Sequence, residues 1–262
     1  MKESTNEDIT AQASSELDEN VILQGSDNLD YNTCIRSKDK QQNRFLCNLQ
    51  QACDIINDAM EKVGRADLSI LEIGFNDGEL MCKLSEIYPD AKFIGLEIRK
   101  EPVEEMVELG YDCRLVDTEM FDEVFKANET FDIIYGYAVL HHTSNPYKSL
   151  ESAIKLLKPG GTVVFVCEAH KLDLLSFMYY TYKRSWYYEK YTLKMGRRRF
   201  KKLLSRYTSD YYVEYDGNGL AKCFKRFNEL YCKMKMNKIP FLNGMTIHAR
   251  IMKSDKVASC EM

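Results

Sequence analysis

The 262-residue sequence predicts an α/β fold, a doubly wound and largely parallel sheet with helices on both faces. Three observations carry this reading. Short apolar runs alternate with stretches of helical periodicity from residue 44 to residue 168. The first run, Ser69-Ile-Leu-Glu-Ile73, breaks into a tight turn, Gly74-Phe-Asn-Asp-Gly78, that opens a helix. The second run ends on an acid, Glu97. A strand, a glycine turn, a helix and an acidic strand end form the arrangement by which open α/β sheets hold the ribose of a nucleoside ligand.

The elements follow in order. Phe45, Leu49, Cys53, Ile56, Met60 and Val63 recur at spacings of three and four and predict a helix over 44–63. A strand is expected at 68–73, a helix at 78–88 stopping before Pro89, and a second strand at 92–97. A helix over 101–109 ends at Gly110, a residue suited to a helix C-terminus. Strand three is expected at 113–116, a short helix at 120–127, strand four at 131–135 and a helix at 147–157. Lys158-Pro-Gly-Gly161 reads as a turn before strand five at 162–167. Beyond it the rhythm changes to an aromatic and basic insert, a basic helix over 197–206 and a strand at 211–215. An amphipathic helix is expected at 219–235 and an alternating strand at 245–252. Four regions result: an acidic segment 1–30, a helical cap 31–67, a core 68–168, and an insert with C-terminal strands, 169–262.

Composition narrows the class. Hydrophobic residues make up 45% and charged residues 29%, as in ordinary soluble domains. No apolar run approaches the ~18 residues of a membrane span, and Met1-Lys-Glu-Ser-Thr-Asn-Glu-Asp8 lacks the pattern of a secretory signal, so the expected location is the cytoplasm. The nine scattered cysteines contain no C-x-x-C pair and read as reduced thiols. The net charge of −4 is unevenly spread: residues 1–30 hold eight acids against one lysine, and residues 171–235 hold sixteen Lys/Arg against six Asp/Glu. The first ~20 residues are therefore expected to be disordered.

Four blocks, in register, resemble the class I S-adenosylmethionine-dependent methyltransferases, in particular the small-molecule group called type 11. They are Leu71-Glu-Ile-Gly-Phe-Asn-Asp-Gly78, Ile94-Gly-Leu-Glu-Ile98, Phe131-Asp-Ile-Ile-Tyr-Gly-Tyr-Ala-Val-Leu-His-His142 and Leu156-Leu-Lys-Pro-Gly-Gly-Thr-Val-Val-Phe165. The glycine spacing G-x-x-x-G also favours S-adenosylmethionine over a dinucleotide. The resemblance implies a Rossmann-like seven-stranded sheet of order 3-2-1-4-5-7-6 with strand 7 antiparallel, a helical N-terminal extension and a helical cap insert. It implies S-adenosylmethionine as cofactor and S-adenosylhomocysteine as product. On the cofactor side it places Glu72, Gly74, Asn76 and Gly78 in the first loop. Glu97 falls on the ribose hydroxyls, Ile98 on the adenine face, Asp117 and Thr118 at the adenine edge, and Tyr135, Gly136 and Tyr137 beneath the methionine moiety. Asn76 stands where the family more often has glycine, and asparagine tolerates a positive φ better than most residues.

The candidate catalytic groups are His142 and Glu168. A histidine takes up a proton near neutral pH, and a carboxylate after strand five lies at the sheet edge where ligands bind. His141, His170, Tyr179, Tyr180 and Trp186 are the candidate acceptor contacts. Each has a structural alternative, as a hydrogen-bonded scaffold group or part of a lid's own small core. Asn145-Pro-Tyr147 reads as a turn and helix start, and His248 as a surface or satisfied residue. No histidine–cysteine cluster suggests a metal. The expected activity is methyl transfer to an oxygen, nitrogen or carbon of a small or medium-sized acceptor. The alternatives are an enzyme on RNA or protein that uses the basic stretch 183–206 on a polyanion or anionic surface, and a non-catalytic cofactor-binding partner subunit.

Overall fold

The computed structural model describes residues 38–116, 121–126, 128–170, 192–215 and 244–251. In chain order these form α1 (Lys38–Val63), β1 (Ser69–Ile73), α2 (Glu79–Ile87), β2 (Lys92–Glu97), α3 (Lys100–Glu108), β3 (Asp112–Leu115), α4 (Phe121–Val124), β4 (Phe131–Tyr137), α5 (Pro146–Lys155), β5 (Leu157–Glu168), α6 (Arg197–Leu204), β6 (Tyr211–Tyr215) and β7 (Met245–Arg250). Single 3-10 turns lie at Leu140–His142 and Thr192–Lys194.

The strands make one seven-stranded sheet of order β3-β2-β1-β4-β5-β7-β6. The β1–β2, β1–β4, β2–β3 and β4–β5 pairs are parallel, and β7 runs antiparallel to both β5 and β6. This is the order and the hand of pairing that the resemblance implied. The strand order reverses between β1 and β4, and an open α/β sheet binds ligands at the carboxyl ends of strands beside such a switch point.

Both sheet faces are covered, which is why the parallel strands read as nearly continuous apolar runs. On one face Leu49, Ala52, Cys53, Ile56 and Ala59 of α1 pack with Met81 and Leu84 of α2 and Met106 of α3 over Ile70, Ile133, Tyr135 and Val164. On the other, Leu150 and Ala153 of α5 and Phe200, Leu203 and Leu204 of α6 pack over Leu71, Ile134, Phe165 and Ile247. Asn145 caps α5, its Oδ1 accepting from Lys148 N at 3.3 Å, with Pro146 at the first helical position. The reading of Asn145-Pro-Tyr147 as a helix start is thereby met.

Two boundaries depart furthest from expectation. Helix α1 begins at Lys38, six residues earlier than periodicity indicated. Lys38-Asp-Lys-Gln-Gln-Asn43 holds no apolar residue, so it carries no periodic signal, although Lys and Gln favour helix. Strand β5 begins at Leu157 and runs through the Lys158-Pro-Gly-Gly161 segment read as a turn. Leu157 pairs with Phe131, the register slips before Ile133, and Gly160 absorbs the slip at φ 88°. The expected disorder near the N-terminus and the helix at 219–235 fall outside the described residues.

Candidate active site

The glycine turn joins β1 to α2. Gly78 caps α2 at φ 80°, and a Cβ there would meet the Met106 side chain. Gly74 sits at φ 72°, and a Cβ there would lie 2.7 Å from Val139 Cγ2. Backbone hand favours glycine at both positions, and close packing against Val139 adds to it at Gly74. The second contact brings the turn after β4 against the first loop. Asn76 adopts φ 59°, the positive value its side chain tolerates.

Glu97, at the end of β2, faces this loop. Its Oε2 accepts from Asn76 N at 3.0 Å; its Oε1 accepts from Ile98 N at 3.0 Å and Arg99 N at 3.2 Å. Three backbone N–H groups thus fix a carboxylate at the switch point. Each carboxylate oxygen has two lone-pair directions, and the described partners leave Oε2 one of them for a hydroxyl donor. Ile98, next in sequence, is 63% exposed, an apolar face at the mouth of the site. Arg99 was missed from the sequence. Its Nη2 donates to Asn76 Oδ1 at 2.8 Å and its Nε approaches Glu97 Oε1 at 3.4 Å, so it ties the loop to the strand end. The only sequence signal was its place two residues beyond Glu97.

Glu72 points to the opposite side of β1 from Leu71 and Ile73, beneath α1. It is 5% exposed, and its Oε2 is buried without a hydrogen-bond partner. Burial, with the charge of Asp77 nearby, pushes its carboxyl up to about 8. Tyr135 is its register partner on β4, and the Tyr135 hydroxyl is likewise buried and unpartnered. Both side chains line a small cavity walled by Ala52, Ile55, Ile70 and Ile133. Gly136 and Tyr137 follow Tyr135 at the end of β4.

After β4, Ala138 turns the chain at φ 52° into the turn carrying both histidines. Glu168, fully buried, closes that turn from β5. Its Oε1 accepts from Val139 N at 3.0 Å and Leu140 N at 3.1 Å; its Oε2 accepts from His141 N at 3.1 Å and lies 2.7 Å from His141 Nδ1. Three N–H groups already aim at the carboxylate, so Nδ1 carries the hydrogen of that last bond and Glu168 accepts it. The 3.3 Å approach of Ala169 N to the same Nδ1 is then a close contact and no second bond. Glu168 reaches this position because Cys167 takes φ 58° at a register shift between Phe165 and Glu168. His141 is buried; His142 is exposed and packs against it with ring centroids 4.2 Å apart. The geometry gives Glu168 a positioning task and leaves His142 as the accessible member of the pair.

Toward β6, buried His170 packs on Tyr215 with centroids 4.9 Å apart, and the Arg197 guanidinium lies 5.1 Å over the same ring. Arg197 Nε also donates to Val213 O at 2.6 Å. His248 departs from the surface reading: it is half-buried, stacked on Tyr212 at 4.6 Å, with Nδ1 unpartnered. Asp117, Thr118, Tyr179, Tyr180 and Trp186 lie outside the described residues. Among the described residues, no three His, Cys, Asp or Glu side chains converge as a metal site requires, and no helix is long and apolar enough to cross a membrane.

Comparison with known proteins agrees with this geometry. Residues 71–163 match a family model described as a methyltransferase domain. A ubiquinone biosynthesis O-methyltransferase of Aliivibrio fischeri is 28% identical over 100 residues, 37% of this chain and 42% of that protein. A polyketide synthase-like protein of Preussia isomera, Preu9, is 35% identical over 78 residues, 30% of this chain and 3% of that protein. The chain thus spans less than half the length of these curated relatives. Among solved structures, the plantazolicin methyltransferase BamL, in complex with a triazolic desmethylPZN analog and SAH, superposes with a TM-score of 0.60 at 15% identity, over 82% of this chain and 88% of that one. The plantazolicin methyltransferase BpumL, with a pentazolic analog and SAH, gives 0.57 at 15% identity, over 94% and 95%. At such identity these likenesses speak to the fold. Over residues 71–163 the chain is similar to a methyltransferase domain, and its sheet has the strand order that the resemblance to the class I S-adenosylmethionine-dependent methyltransferases implied.

Proposed function

We propose that this protein transfers a methyl group from S-adenosylmethionine to an oxygen, nitrogen or carbon atom of a small or medium-sized acceptor. One observation carries the reading. Glu97 and the loop 74–78, far apart in sequence, meet at the switch point through the Asn76 N–Glu97 Oε2 bond of 3.0 Å. A carboxylate so fixed suits a ribose hydroxyl, since Oε2 keeps one lone-pair direction to accept from it. Exposed Ile98 offers the adjacent apolar surface for a flat ring, and the unpartnered Glu72 carboxyl suits a cationic ligand. The bound cofactor supplies a methyl already activated on a positively charged sulfur. The chain's own task is then to align an acceptor in line with that methyl and to exclude water. His142 accepts the acceptor's proton where one must leave, and Glu168 holds the turn that carries it. The small-molecule character of the matched ubiquinone biosynthesis enzyme favours a small acceptor.

The test is a thermal-shift series with S-adenosylmethionine, S-adenosylhomocysteine and NAD on the wild type, Glu97→Ala and His142→Ala. A ligand at about 100 times its dissociation constant adds about 2.7 kcal/mol of stability. The two adenosyl ligands should raise the melting temperature of the wild type and of His142→Ala, and Glu97→Ala should lose the shift. In an acceptor screen, His142→Ala should then turn over more slowly with cofactor affinity unchanged. A shift with NAD alone, or with no ligand, would refute the proposal.

A further inference from the structure

Two buried polar groups stand side by side without partners in this protein, on adjacent strands at the same register level. Glu72 Oε2 and the Tyr135 hydroxyl both lie in the cavity between α1 and the sheet, whose walls are otherwise aliphatic or aromatic. An orphaned buried acceptor costs roughly 1–3 kcal/mol, and a buried lone carboxylate costs more. Nothing among the described residues repays this. Asp132, at the other end of the sheet, shows the contrast: its carboxylate takes Ser69 N at 2.8 Å, Lys158 Nζ at 2.7 Å and Arg65 Nη2 at 2.6 Å.

The groups around Glu72 are all of one kind. Asp77, in the turn above it, repels a second negative charge. Cys82 on α2, Cys113 on β3 and Tyr135 on β4 each feel Glu72 as a neighbour that holds their own protons on. From α1 only Ala52, Ile55 and Ile56 face the cavity. Among the described residues no Lys, Arg or His offers Glu72 a counter-charge. Its position two residues before Gly74 leaves the missing cation to come from a ligand at the turn.

Resting on the cofactor assignment above, we infer that Glu72, with Tyr135 beside it, senses the charge of the bound cofactor: it is neutral in the ligand-free protein, gives its proton to solvent when the sulfonium form binds, and regains it with the thioether product. S-adenosylmethionine carries one more positive charge than S-adenosylhomocysteine. Only the former therefore brings enough positive potential to ionise a carboxyl with no partner of its own. The Tyr135 hydroxyl, held neutral by burial, is then available as a donor to the ionised form. After transfer the positive charge is gone, Glu72 takes a proton from solvent, and the product faces a neutral wall. The cycle discriminates substrate from product by charge, where the two ligands differ in shape only by a methyl group.

The experiment is isothermal titration of each ligand at pH 7 in phosphate and in Tris, on the wild type and on Glu72→Gln. The dependence of the heat on the buffer counts protons. With Glu72 at about 8, the wild type should release about one proton more than the variant on binding S-adenosylmethionine, and less with S-adenosylhomocysteine. Infrared difference spectra of the wild type give a second readout that needs no variant. The carbonyl stretch of a protonated carboxyl group should vanish with the first ligand and persist with the second. Equal proton counts in wild type and variant, or no such band lost, would overturn the inference while binding itself stands. No binding heat with either ligand would instead sink the cofactor assignment.

Discussion

Single residues carry the sharpest chemistry, and most of it concerns carboxylates placed in different surroundings. Glu97 and Glu168 are both buried and both receive three backbone N–H groups. Glu72 is equally buried and receives none at its Oε2. The first two are satisfied by directed N–H groups, and the third is kept protonated by desolvation. The sign for stability follows. The folded-state value of Glu72, about 8, lies above its ordinary 4.5, so between those two pH values the folded state binds more protons than the unfolded one. Stability from this group is present below about pH 4.5 and is lost as pH rises toward 8. Glu72→Gln should therefore gain stability over wild type increasingly from pH 5 to pH 8, measured as urea midpoints across that range. A constant difference would mean that Glu72 does not titrate there.

At the scale of elements, α6 is the helix whose sequence and position disagree. Phe200, Leu203 and Leu204 bury one face, which explains why it packs under β6 and β7. Its first turn, however, holds Arg197, Arg198 and Arg199 at the positive end of the helix dipole, with no acid and no side-chain cap. Arg197 and Arg199 find aromatic faces, on Tyr215 and Tyr147. Arg198 is exposed and stands four residues before Lys202, a like-charge pair. Arg198→Glu should stabilise the protein by ~0.5–1 kcal/mol in chemical denaturation, by reversing both terms. A loss of stability would show that Arg198 holds a structural contact. The same variant separates the acceptor readings: if the basic face meets a polyanion, it lowers binding to single-stranded RNA and flattens its salt dependence.

For the whole molecule, α1 decides how one face of the sheet is finished. It lies outside the stretch matched to the methyltransferase domain, yet it buries Leu49, Ala52, Cys53, Ile56 and Ala59 over β1, β4 and β5. It also roofs the cavity that holds Glu72 and Tyr135. Its removal exposes an apolar sheet face worth several kcal/mol at ~1–3 kcal/mol for each large side chain. A chain lacking residues 1–66 should bind a hydrophobic dye and melt well below one lacking only 1–37. Equal melting would show that α1 is a peripheral addition. The helix thus links fold and site, since the same roof that completes the core sets the dielectric around the candidate charge sensor.

The sequence by itself determined the alternation of strands and helices and the glycine turn, because these depend on local patterns, while the sheet order followed from the family resemblance. Periodicity marks each strand and helix, a glycine turn needs glycine or asparagine where φ is positive, and an acid at a strand end is visible as such. It also placed Glu97 and the histidine pair on one edge, since every parallel strand of a doubly wound sheet presents its carboxyl end there. What only the tertiary structure decided is which partner each buried group meets. The positive φ of Cys167 turned Glu168 from a candidate catalytic acid into the support of the histidine turn. The β1–β4 register set Glu72 beside Tyr135, with no cation between them among the described residues. Arg99 became a tie across the mouth of the site only when the loop and the strand end came together. Such facts depend on long-range packing and on backbone irregularities of a single residue, for which a linear pattern carries no signal.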